Sequence, residues 1–242
     1  MSSDVQFVIL AAGFGSRLGA PRPKALTPLA DGRTILDRQL GIIRDAVPGA
    51  CVHVVVGHKA MAVLEARPDA LFVYNEAYDT TNTAKSLLRA LELCPAGPVV
   101  WLNGDVVFDP DVLTRVLAAV RADTSAVAVV RGAVGEEEVA FTVDGAGFVA
   151  ALAKGVAAAD GEAVGVNAVR AQDRPALERR LGEVDDQDYF ERAVELTVTG
   201  DGARYLPVDV TDLGVVEVDF PEDLVRADAV VTAARPAVPV AP

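Results

Sequence analysis

The first four apolar runs of the chain alternate with segments whose apolar residues recur every three or four positions. VQFVIL (5–10), CVHVVVG (51–57), LFVYN (71–75) and PVVWLNGD (98–105) are short and close on Gly, Asn or Asp, or run straight into a turn. Such runs are the pattern of strands buried on both faces. Between them, Ile35, Leu36, Leu40, Ile43 and Val47 fall at helical spacing over 34–47, and Leu87, Leu88 and Leu91 do so over 82–93. Further helices are predicted over 59–67 and 110–121. This alternation predicts a parallel sheet covered by helices.

After Thr124 the pattern shortens. AVAVV (126–130), VAFTV (139–143) and GFVAAL (147–152) read as short strands separated by Gly or acidic residues. Helical patterns return at 173–182 and 188–197, followed by a strand near 203–208, the segment VVEVD (215–219) and a helix from Pro221. The expected fold is α/β, with a Rossmann-like, mainly parallel central sheet, helices on both faces and a small antiparallel insertion. We expect a single domain over 1–233 with the insertion at about 125–200, and a disordered Pro/Ala-rich tail at 234–242.

Composition narrows the partners. A net charge of −13 on 242 residues argues against nucleic acid or an anionic membrane, both of which need a basic face. No segment approaches the ~18 continuous apolar residues of a membrane span, and MSSDVQ lacks a signal pattern, so a cytoplasmic location is expected. Cys51 and Cys94 make no metal spacing and read as buried thiols, and with only His53 and His58 no zinc cluster is expected. Arg outnumbers Lys 18 to 4, which singles out each lysine.

The candidate chemistry starts at FVILAAGFGSRLGAPRPKAL (7–26). Gly13, Gly15 and Gly19 give G-x-G-x-x-x-G, and the second strand ends in Gly57-His58-Lys59 with no acid, so the dinucleotide fingerprint fails. The Gly-Lys-Ser/Thr of a kinase-type loop is absent as well. What remains is a turn whose Gly13 and Gly15 let backbone N–H groups approach phosphate, together with Arg17 and Lys24. Pro21 and Pro23 stiffen the return path, so Lys24 is expected to face the same volume as Arg17.

This stretch resembles the signature of the nucleotidyltransferase superfamily that makes nucleotide-activated sugars and alcohols. The matching residues are Leu10, Ala11, Ala12, Gly13, Gly15, Arg17, Leu18, Pro23 and Lys24. NEAYDTTNTAKSLLRAL (75–91), NGDVVFDPDVL (103–113) and EVDFPEDLVRA (217–227) resemble segments of its phosphocholine, inositol-phosphate and phosphonate cytidylyltransferase branch. The match is loose over 125–200. Asp105 ends a predicted parallel strand, and Glu217 and Asp219 alternate along one face of another. With the opening loop, these three carboxylates point to a Mg²⁺ site.

The resemblance implies nucleotidyl transfer from an NTP, with CTP expected, to a small phosphate- or phosphonate-bearing acceptor, with release of pyrophosphate. Arg17 and Lys24 would neutralise phosphate charge, and Lys154 matches a second phosphate-binding lysine. Leu10, Ala11, Ala12 and Gly13 would read the base through their backbone, helped by Gly57, His58, Asn82 and Ser86, with Asp105 at the nucleotide as well as the metal. Asn167, Asp186 and Tyr189 would face the acceptor. Trp101 lies in a predicted core strand, so no aromatic cage for choline is evident; phosphonate, inositol phosphate and sugar phosphate stay open. A sugar-1-phosphate nucleotidyltransferase using another NTP and a non-catalytic nucleotide-binding domain are the alternatives. A homodimer is left open.

Overall fold

The computed structural model describes residues 5–19 and 22–233. Pro21 and the tail predicted at 234–242 lie outside the described residues. The first half follows the predicted alternation: β1 (Gln6–Ala11), α1 (Ile35–Ala46), β2 (Val52–Val56), α2 (Ala60–Ala66), β3 (Leu71–Tyr74), α3 (Thr83–Leu93) and β4 (Val99–Asn103). Thr34 starts α1 through a capping box with Asp37, which satisfies backbone donors that the first turn leaves open. The second half continues with β5 (Val106–Phe108), α4 (Pro110–Arg121), β6 (Ser125–Arg131), β7 (Ala140–Val143), β8 (Val149–Ala153) and β9 (Gly161–Val169). It closes with α5 (Arg174–Glu183), α6 (Phe190–Asp201), β10 (Tyr205–Asp209), β11 (Val215–Glu217) and α7 (Pro221–Ala233).

The main sheet runs β10-β6-β9-β4-β1-β2-β3. Strand β9 is antiparallel to both β4 and β6, and the other neighbours on this path pair in parallel. The antiparallel character expected after Thr124 is therefore present but differently placed. Strand β6 belongs to the central sheet, and the β7–β8 hairpin hangs from β9. Strand β9 was not predicted as an element, because Gly161 and Gly165 interrupt its apolar run.

Alternate residues of β1 supply the two faces, as the period of two requires. Phe7 and Ile9 pack with α1 and α4, and Val8 and Leu10 pack with α3, α5 and α6; all four are buried. Trp101 of β4 is fully buried and meets Phe190 edge-on, with ring centroids 5.6 Å apart. Cys94 is buried with its thiol pushed up to about 11 by that burial, as an inert core cysteine should be. Its Sγ lies 3.4 Å from Nδ1 of His53, a neighbour the sequence did not suggest.

A second, two-stranded sheet pairs β5 with β11. Val107, Val216, Val218, Ala227 and Val231 form its small core with Leu18 and Ile35. This ribbon lays the 217–219 segment beside Asp105, whose carbonyl accepts from Val218 N–H at 3.0 Å. Strand β11 ends at Glu217, so Asp219 stands just beyond the strand that was expected to carry both acids.

Candidate active site

From β1 the chain steps outward to β2 and β3 and then crosses back to β4 on the other side of β1, so the sheet's switch point lies between β1 and β4. Open α/β sheets bind ligands at the carboxyl ends of the strands flanking such a point. Here Gly104 N–H donates to Leu10 carbonyl at 2.9 Å. A Cβ at Gly104 would come within 2.6 Å of that oxygen, so only glycine lets the Asp105 turn close on the opening loop.

The opening loop folds as two short 3₁₀ turns, Ser16–Leu18 and Lys24–Leu26, anchored by buried Leu18 and Leu26. Gly15 has φ of 60° and lies against Lys24, whose Cβ would be 3.0 Å from any side chain added there. The lysine thus passes over the turn into the cleft. Its Nζ donates to Asp105 Oδ2 at 2.8 Å and to Asp219 Oδ1 at 2.6 Å, while Arg17 lies 3.6 Å from Asp219 Oδ2. Lys24 and Arg17 do face one volume, as predicted. Burial alone would push the Lys24 ammonium down, but Asp105 and Asp219 outweigh it and hold its pKa above the usual lysine value.

Asp105, Glu217 and Asp219 each bring a carboxylate oxygen within 4.8 Å of the others. Asp105 Oδ1 is buried and has no hydrogen-bond partner among the described residues. The Glu217 carboxyl is pushed upward, by burial and then by the carboxylates of Asp105 and Asp219. Glu217 is exposed to water, so the crowding of like charge by Asp105 and Asp219 is what holds its carboxyl up. An orphaned carboxylate oxygen, three hard ligands and an excess of acids over the two cations fit a divalent cation such as Mg²⁺.

Around this centre lies a cleft of about 260 Å³. Leu10, Ala11, Gly13, Gly15, Arg17, Lys24 and Asp105 line its inner part, where Glu138 acts on Glu217, while Glu137, Lys154, Tyr189 and Glu191 line its outer part. Lys154 donates to Glu137 at 3.3 Å and sits 5.2 Å from the centre of the Tyr189 ring.

Other candidates lie elsewhere. Ala12 is buried, with its carbonyl accepting from His58 N–H at 3.0 Å. Gly57 packs under Tyr78. His58 joins Phe14 and Tyr78 in an aromatic group, with its ring centroid 5.1 Å from that of Phe14. Asn82 caps α3 by accepting from Thr83 N–H, and Ser86 is buried and accepts from Asn75 Nδ2 at 3.0 Å. Asn167 is buried on β9, facing Trp101 and Val127 in register. Asp186 is exposed, 3.9 Å from Lys85. None of Ala12, Gly57, His58, Asn82, Ser86, Asn167 and Asp186 lines the cleft.

Sequence reasoning did not single out Phe14, Glu137, Glu138 or Glu191. Phe14 occupies a variable position of the motif and gave no signal. Glu191 did give one, because it falls among Phe190, Ala193, Val194 and Thr197, the buried face of α6.

Residues 7–175 match the family described as the MobA-like NTP transferase domain. The CMP-5'-(3-aminopropyl)phosphonate synthase of Streptomyces rubellomurinus is 36% identical to 93% of this chain. The chain spans only 38% of that relative's length. The CTP:phosphocholine cytidylyltransferase of Streptococcus pneumoniae superposes with a TM-score of 0.71 at 17% identity, covering 94% of this chain and 99% of that one. The inositol-1-phosphate CTP transferase of T. maritima does so at 0.75 and 15%, covering 96% and 98%. The chain belongs to the MobA-like NTP transferase family, and its fold is that of the nucleotide-diphospho-sugar transferases.

Proposed function

From that family membership, we propose that the protein transfers a cytidylyl group from CTP to a small phosphonate- or phosphate-bearing acceptor, with Mg²⁺, releasing pyrophosphate. The observation that carries this reading is the Lys24 ammonium held between Asp105 and Asp219 at the switch point of the sheet. The name of the Streptomyces relative, a CMP-phosphonate synthase, supports both CTP and a phosphonate.

An oxygen of the acceptor forms a bond to the α-phosphorus as the bond from that phosphorus to the pyrophosphate oxygen breaks, and the electron pair leaves with pyrophosphate. The attacking oxygen is already anionic near neutral pH, so the site needs no general base. Its work is positioning and charge neutralisation. Lys24 faces the charge growing at the α-phosphate, and Arg17 the departing pyrophosphate. The turn at Gly13 and Gly15 offers backbone N–H groups to the triphosphate. Asp105, Glu217 and Asp219 would hold the Mg²⁺, which when bound would supply further charge neutralisation at the phosphates. Lys154 and Tyr189 meet the acceptor.

The test is pyrophosphate release with ATP, CTP, GTP and UTP, each against 3-aminopropylphosphonate, phosphocholine, inositol 1-phosphate and glucose 1-phosphate. CTP with a phosphonate is the expected pair. Release with another triphosphate and glucose 1-phosphate would instead make it a sugar-phosphate enzyme. No release with any pair would overturn the enzymatic reading.

A further inference from the structure

The outer cleft contains a buried carboxylate that accepts from its own backbone N–H but is left with one oxygen unanswered. Glu191 lies in the first turn of α6, is 8% exposed and lines the cleft beside Lys154 and Tyr189. Its Oε2 has no hydrogen-bond partner among the described residues. Leaving a buried acceptor unpaired costs about 1–3 kcal/mol, and more for a charged one. An apolar side chain of similar volume would avoid that cost.

The nearest cation does not answer it. Lys154 acts on Glu191 electrostatically, but its hydrogen bond goes to Glu137. Lys154 is thus shared between two carboxylates, while Glu138 acts on Glu217 at the other end. The helix N-terminus favours Glu191 in its ionised form. A buried carboxylate beside an aromatic ring recognises an ammonium. At the inner end, Arg17 and Lys24 are the groups that recognise phosphate.

We propose that Glu191 is the receptor for an ammonium group on the acceptor, so that the site selects zwitterionic aminoalkyl phosphonates or phosphates over acceptors ending in a methyl or hydroxyl group. This rests on the reading that the inner cleft binds the phosphorus end. A primary ammonium suits the site better than a quaternary one. It brings N–H donors for the orphaned Oε2, whereas Tyr189 alone makes a poor cage and Trp101 is sealed in the core.

The experiment measures binding of 3-aminopropylphosphonate, propylphosphonate and phosphocholine to the full chain with Mg²⁺ by calorimetry. In the wild type, the amine should bind at least about tenfold more tightly than propylphosphonate, the scale of one charge-assisted hydrogen bond. Glu191→Gln should collapse that ratio toward one, and Glu191→Asp should keep part of it. A wild-type ratio within twofold, a ratio that survives Glu191→Gln, tighter binding of phosphocholine than of the amine, or no binding of any of the three overturns the proposal. Pyrophosphate release is read separately. Release without preference for the amine sinks the Glu191 assignment and leaves the transfer reading intact. Preference without release under any triphosphate does the reverse.

Discussion

The two halves of the cleft treat charge in opposite ways. In the inner half, Lys24 bonds two carboxylates and Arg17 lies against one of them, so both cations are held before any ligand arrives. In the outer half, Lys154 is tied to an exposed glutamate and lies over the Tyr189 ring, and Glu191 is buried without a partner for Oε2 among the described residues. Catalysis by charge neutralisation needs groups fixed in advance, because reorganising them would cost free energy at the moment of reaction. Recognition can instead leave a buried group unsatisfied until the right ligand completes it, since that deficit penalises the wrong ligand. On our proposals the inner half serves the first task and the outer half the second.

The sharpest way to break this contrast is to disturb the inner half. Asp105→Ala removes a proposed metal ligand and one of the two acceptors of Lys24. Turnover should fall on the order of 10³-fold or more, measured as pyrophosphate release, while the melting transition stays cooperative. Near-normal activity would take Asp105 out of the site. Lys24→Ala should lower kcat by about 10²–10³-fold with a smaller change in the KM for CTP, as expected of a group whose contact strengthens in the transition state. A rise in KM with kcat preserved would make Lys24 a binding residue only.

The same contrast governs what could be read from the chain. The inner half is made of residues whose roles follow from short-range patterns: strands ending in glycine turns, Arg17 and Lys24 at fixed spacing, and Asp105 at a strand end. Even the remote pair Glu217 and Asp219 carried a local signal in their alternation. What no local pattern could reveal is the ribbon of β5 with β11, because pairing across more than a hundred residues decides where those acids land. The outer half depends almost wholly on such pairing. Strand β9 was hidden by its glycines, and Asn167, expected at the acceptor, is turned into the core by its register with Trp101. Ser86 and Asn82 matched a family motif, yet the structure shows their hydrogen bonds holding the start of α3 in place.

A third measurement tests the outer half without any ligand. Burial pushes the Glu191 carboxyl up from 4.5 to about 7, with a hydrogen bond from its own backbone N–H and the charge of Lys154 opposing the rise. The folded state therefore binds more protons than the unfolded chain between these values. The stability from this group is full below about pH 4.5 and is lost as pH rises through 7. Glu191→Gln removes that titration. The variant should gain about 2–3 kcal/mol relative to wild type between pH 5 and pH 8, by denaturant unfolding. A difference independent of pH would mean that Glu191 is ionised and already satisfied, and the contrast between the halves would disappear.

The smallest effect separates a cap from a base contact at Asn82. Its Oδ1 accepts from Thr83 N–H at 2.8 Å, its Nδ2 donates to the Gln187 carbonyl at 3.3 Å, and its own N–H donates to the Asp186 carbonyl at 2.8 Å. Asn82 thus starts α3 and ties it to the segment leading into Tyr189 and Glu191. Loss of an N-cap costs about 1 kcal/mol, and Asp is as good a cap as Asn. Asn82→Ala should therefore lower the unfolding free energy by about 1 kcal/mol and Asn82→Asp should restore it. Any loss of activity should fall on the KM for the acceptor, since the strap leads to the outer half. A loss confined to the KM for CTP, with stability unchanged, would return Asn82 to the nucleotide and place it with the inner half.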